Sequence, residues 1–190
     1  MFTKSIYAYT DMLQRIGLNP KELGAVMLPV EPFDIFGEGR DQLLDVEDLY
    51  VSEDPELWWV NGDVSDKAHI TLRYGLLTPA YEQKENVDEL LADWDMPEYF
   101  VPERITFFPS NVPSDPNYAA IVVEIDDPHL EEAHARLSYL PHVNTFPKYR
   151  SHMTIAYVRL AAAQRWMDVL SDAQFHIYVK EGGLDYGEKK

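Results

Sequence analysis

HITLRY (residues 69–74) and HMTIAY (residues 152–157) share one form: His, apolar, Thr, apolar, any residue, Tyr. The chain has only six histidines in 190 residues. With its own frequencies of His, Thr and Tyr, two independent matches are expected well under once in about a thousand such chains. The surrounding stretches, KAHITLRYGLL and RSHMTIAYVRL, are rich in apolar residues and read as strands. Side chains on a strand alternate between faces with period two. Parity therefore predicts His69, Thr71 and Arg73 on one face, with Ile70, Leu72 and Tyr74 on the other. In the second copy His152, Thr154 and Ala156 face one way, and Met153, Ile155 and Tyr157 the opposite way. The apolar faces, tyrosines included, are expected to pack as core. Each polar face then projects one imidazole and one hydroxyl.

Two histidines facing each other suit proton transfer in both directions, because an imidazole titrates near neutrality. A neutral ring accepts a proton from the attacking hydroxyl or water while a protonated one donates to the departing oxygen. The threonine hydroxyls, and with them the Arg73 guanidinium, can bind non-bridging oxygens as charge rearranges. This is phosphodiester cleavage without a metal or other cofactor. Rival chemistries fit less well. Metal ligation by two histidines recruits further His, Asp or Glu at readable spacing, and here the same-face neighbours are threonines. There is no Gly-x-Ser-x-Gly nucleophile turn, no Walker loop and no Gly-x-Gly-x-x-Gly run.

Outward from the two motifs, GAVMLPVE from Gly24 reads as a strand, RITFF and NYAAIVVEID as two more, and FHIYVKE as a closing strand. Helices are expected over residues 5–16 (SIYAYTDMLQRI), ENVDELLADW and AAAQRWMDVL. A further helix starts at Asp127-Pro128, with Asp as N-cap and Pro at the first helical position. Its body carries Leu130, Ala133, Leu137 and Leu140 at helical spacing, and Pro141 closes it. Glu31 to Asp66 is dense in acid, with Arg40 its only basic residue, and reads as a solvated, loop-rich insertion. No spacing rule makes that insertion a lid. The length suits a single domain over residues 1–190 with a full core.

The formal net charge is −17, and a surface of that sign repels long DNA or RNA. A small anionic nucleotide can still be held by a few local donors. No apolar run is long enough to span a bilayer, and the first residues lack the apolar block and cleavage site of a signal peptide. With no cysteine there is neither a disulfide framework nor a zinc–sulfur site, so a cytoplasmic location is expected.

Paired His-x-Thr motifs in apolar strands, here 83 residues apart (152 − 69 = 83), resemble the hallmark of the 2H phosphoesterases. That superfamily includes 2′,5′ RNA ligase-like proteins, cyclic phosphodiesterases of RNA metabolism, and phage anti-CBASS nucleases that destroy cyclic oligonucleotide immune signals. The resemblance spans roughly Gly24 to Glu181. It implies an α+β, bilobal fold with two pseudo-symmetric antiparallel sheets lining a central cleft and helices outside. It also implies His69, Thr71, His152 and Thr154 as the catalytic set. The acidic balance favours a compact substrate, so a cyclic oligonucleotide is the first expectation. A host-cytoplasm setting follows if the protein is phage-encoded. A 2′,3′-cyclic phosphate or 2′,5′-linked oligonucleotide is the second. A nucleotide-sequestering protein or an acidic decoy is the alternative from another class.

Around these four, Arg73 is open to phosphate contact or a plain salt bridge. The FPKYR run places Phe146, Lys148, Tyr149 and Arg150 near the expected cleft mouth, with Lys148 and Tyr149 as candidate substrate contacts. Glu181 is a candidate for orienting a catalytic group. Trp58-Trp59 is expected to anchor the insertion to the core. His129, His134 and His142 read as surface residues, and His176 as a satisfied, partly buried one.

Overall fold

Both hexapeptides open a strand in the computed structural model, which describes residues 17, 23–37, 39–110, 112–144 and 148–187. The first copy begins β2 (His69–Leu76) and the second begins β6 (His152–Arg159). With β1 (Gly24–Pro29), β4 (Arg104–Pro109) and β5 (Tyr118–Glu124) they build a five-stranded antiparallel sheet in the order β1-β2-β6-β5-β4. β3 (Tyr99–Phe100) and β7 (Ile177–Tyr178) pair as a second, two-stranded sheet. The expected antiparallel α+β architecture is therefore present. Its two halves, β1-β2 and β6-β5-β4, are joined edge to edge through one register pair, Ile70 opposite Met153.

The helices are α1 (Lys84–Leu90), α2 (Pro128–Leu137) and α3 (Ala163–Ser171). α2 starts as its sequence predicts: the Asp127 carboxylate accepts the His129 backbone N–H at 2.8 Å, and Pro128 needs no partner there. Its stripe of Leu130, Ala133 and Leu137 is fully buried. Together with Trp166 and Leu170 of α3 it belongs to one core with Val26, Leu28, Ile70, Leu72, Ile121, Val123, Met153 and Ile155 of the strands. The expected helix over residues 5–16 lies outside the described residues. Among the described residues no helix is long and apolar enough to cross a membrane.

Simple alternation fails at the same place in both motifs. Met27 pairs with Thr71 and Val26 with Arg73, so Leu72 has no opposite residue on β1. Likewise Val122 pairs with Thr154 and Ile121 with Ala156, which leaves Ile155 over. Each copy thus carries a β-bulge at its fourth residue, and a bulge advances the facing of everything after it by one. The consequence corrects two expectations. Arg73 lies on the core face, 3% exposed, and Tyr74 emerges on the face of His69 and Thr71. Tyr157 likewise joins the face of His152 and Thr154, opposite Ala120.

The insertion over residues 31–66 is not simply solvated. Beyond the Ile70–Met153 pair, β6 takes it as a partner: Tyr50 N–H donates to Tyr157 O at 2.8 Å, and Tyr157 N–H to Gly62 O at 2.7 Å. Val64 N–H donates to the carbonyl of Ile155, the residue displaced by the second bulge, at 3.2 Å. Leu57, Val60 and Tyr118 form a small buried cluster beneath it. Trp58 and Trp59, expected as its anchors, are instead 66% and 44% exposed. The corresponding bond on the helix side comes from Asp48, whose carboxylate accepts the Trp166 indole N–H at 2.9 Å. At the opposite edge residues 179–185 run beside β1, with Lys180 N–H bonded to Pro29 O at 3.0 Å.

Candidate active site

The one place where β2 and β6 pair is also where the two motifs meet. Ile70 and Met153 point into the core, so their neighbours point to the opposite face. Continuing an antiparallel register by one residue sets His69 across from Thr154 and Thr71 across from His152. That register places the four side chains as a quadrilateral on one face, over the joint between the two halves. Across the sheet, Arg104, Glu124 and His152 stand in one row, and Thr106, Val122 and Thr154 in the next.

Both imidazoles are pinned in the same way. His69 Nδ1 lies 3.2 Å from the Lys67 carbonyl and His152 Nδ1 lies 2.8 Å from the Arg150 carbonyl. A carbonyl can only accept, so each Nδ1 carries the hydrogen and each Nε2 is left for chemistry. The two sites differ in environment. His69 is exposed, whereas His152 is half-buried with the Phe108 ring edge-on at 5.3 Å. Burial pushes the His152 pKa below its ordinary 6.5; the Arg150 carbonyl opposes this, the charge of His69 adds to it, and Glu124 opposes it.

Arg73 does not reach this face. Its Nη1 bonds His134 Nε2 at 2.7 Å, its Nη2 bonds Asn144 Oδ1 at 3.0 Å, and its buried Nε has no partner among the described residues. His134 is correspondingly no surface residue. Its Nδ1–H donates to the Leu72 carbonyl at 2.7 Å, so Nε2 must accept from Arg73 and the ring is neutral. Burial, first among the causes, lowers its pKa in agreement. His134 thus satisfies the carbonyl displaced by the first bulge, as Val64 does for the second.

Tyr149 belongs to the same buttress. Its ring stacks on His134 at 3.9 Å and its hydroxyl donates to the Thr71 carbonyl at 3.0 Å. Lys148 is exposed in the segment before β6, and Glu181 sits in an exposed turn beyond β1. Phe146 lies outside the described residues. His129 lies in the first turn of α2 with its Nδ1 2.9 Å from the capping carboxylate of Asp127, and His142 bridges to Leu76. His176 is exposed and packs against Tyr99 at 4.6 Å, not partly buried as alternation predicts.

Sequence reading missed Arg104, Glu124 and Phe108 as neighbours of His152. The even spacing of Arg104 and Phe108 on β4 was visible, but which strand β4 and β5 would lie beside was not. A cavity of about 360 Å³ lies away from the quadrilateral, between the insertion and the segment that leads into β5.

No protein-family model matches the chain, and no curated protein matches it. Among solved structures it is similar to Usb1 of Kluyveromyces marxianus, with a TM-score of 0.47 and 10% identity, over 83% of this chain and 92% of that one. The same protein with uridine monophosphate gives a TM-score of 0.44 at 10% identity, over 80% and 84% of the two chains. Likenesses this distant assign no residue of this chain a role.

Proposed function

We propose that this protein is a phosphodiesterase that cleaves a small nucleotide by paired-histidine acid–base catalysis, with a cyclic oligonucleotide signal of the anti-CBASS type as substrate. The observation that carries the reading is the convergence of both His-x-Thr pairs on one face at the β2–β6 joint, with both Nδ1 atoms pinned to carbonyls. His152, held toward its neutral form, is the base. Its Nε2 takes the proton of the attacking hydroxyl as the new O–P bond forms. His69 is the acid, and its Nε2–H passes to the leaving oxygen as the old P–O bond breaks. A positive charge on His69 disfavours a second one on His152. The Thr71 and Thr154 hydroxyls donate to the non-bridging oxygens.

Incubation with cyclic di- and trinucleotides and with 2′,3′-cyclic mononucleotides in EDTA, followed by chromatography, tests the reading. Cleavage of the first group that persists in chelator is expected. No cleavage of any of them, or cleavage abolished by chelation, overturns the mechanism.

The pH dependence follows from the same asymmetry. As pH falls through the lowered pKa of His152 the base is protonated and lost, so the acid limb of kcat/KM lies below pH 6.5. The acid partner must carry a proton to give, which adds an alkaline limb, and the profile is a bell. A single sigmoid, measured by initial rates across pH, contradicts an acid–base pair.

A further inference from the structure

Beside His152 the structure gathers two guanidinium groups on one buried carboxylate. Glu124 is 6% exposed and stands in the row of His152, on the same face. Arg104 sets both Nε, at 2.8 Å, and Nη2 against its Oε2 atom, and Arg150 Nη1 lies 3.8 Å from its Oε1 atom. The arginine side chains themselves remain 59% and 58% exposed. A guanidinium has five N–H donors, so Arg104 retains three after binding Glu124. The carboxylate is a buried anchor, and the outer faces of both cations are presented to solvent. Two guanidiniums on one buried carboxylate put cationic donors on this face of a chain whose net charge is −17, with Glu103 close enough to Arg104 to offset part of their charge. At the other end of the quadrilateral the arginine of the first motif is turned into the core.

We propose that Arg104 and Arg150 form a second anion subsite, which holds a phosphate adjacent to the scissile one on the His152 side. The inference rests on the paired-histidine reading for the place of the scissile phosphate. It narrows the substrate to a nucleotide with two phosphates separated by a ribose, as in a linear or cyclic oligonucleotide, and away from a nucleoside 2′,3′-cyclic monophosphate. Guanidinium groups suit this task because their planar forks match phosphate oxygens two at a time. The buried Glu124 holds Arg104 in one geometry in advance, which reduces the ordering cost of binding.

Calorimetric titration with adenosine 3′,5′-bisphosphate and with 5′-AMP tests the subsite, since neither is a diester and neither can be cleaved. The bisphosphate is expected to bind roughly tenfold or more tightly than 5′-AMP to the unaltered protein. Arg150→Gln leaves Glu124 covered by Arg104 and is expected to bring that ratio to within roughly threefold. Arg104→Lys keeps a charge over Glu124 but loses the fork, and is expected to lower the ratio in the same direction. A purely structural ion pair would lower thermal stability in Arg104→Lys without moving the ratio. A ratio near one in the unaltered protein, or one unchanged in both variants, overturns the subsite. Cleavage of cyclic dinucleotides alongside that result would leave the paired-histidine reading standing, so the two failures are distinguishable.

Discussion

Replacing His152 by alanine is expected to lower kcat for diester cleavage by roughly 10²–10⁴-fold, the range for a positioned general base. His69→Ala should lose a comparable factor as the donor. The pair acts as a unit, so the double variant is expected to fall little below the worse single one. Neither change should unfold the protein, because one ring is exposed and the other only half-buried. Initial rates by chromatography, with thermal melts as a control on folding, give the answer. Near-unaltered turnover in either single variant removes that histidine from the chemistry.

The largest stability effect is expected at Trp166, which is 0% exposed. Trp166→Ala removes a ring that packs edge-on to Phe36 at 5.8 Å, and with it the indole donor to Asp48. Such truncations cost about 3–5 kcal/mol. For a chain of this size that corresponds to a fall in Tm of roughly 6–20 °C. Trp166→Phe refills most of the volume and should cost only about 1 kcal/mol for the lost hydrogen bond. A melt unchanged by the alanine variant would show that the contact between insertion and α3 is not what secures this side of the fold.

The strands and the start of α2 were legible because each depends on residues close in sequence. Alternating apolar residues define β2 and β6, and Asp127-Pro128 fixes a helix start on its own. The quadrilateral was legible too, since His and Thr two apart share a face before the bulge begins. Everything after the fourth residue of each motif was not. Whether Leu72 and Ile155 are skipped depends on the partner strands β1 and β5, far away in the chain. Arg73 then reads as a site residue until the skipped Leu72 turns it inward to His134. The insertion shows the same limit: its acid content predicts solvent, while backbone bonds to Tyr157 and Ile155, which no side-chain pattern encodes, tie it to β6. Trp58 and Trp59 mislead for a related reason, because Leu57 and Val60 beside them fill the limited space under the loop.

The single register pair that joins the two halves has a kinetic meaning. Ile70 and Met153 are distant in sequence, so closing that seam carries a loop-entropy cost that neither half repays alone. Each half can assemble its own strands first, β1 with β2 and β4 with β5 and β6, through shorter connections. A molecule at that stage owns all four His and Thr side chains and has no quadrilateral. The quadrilateral therefore arrives only when that seam closes. During refolding, the recovery of turnover should lag behind the recovery of strand content.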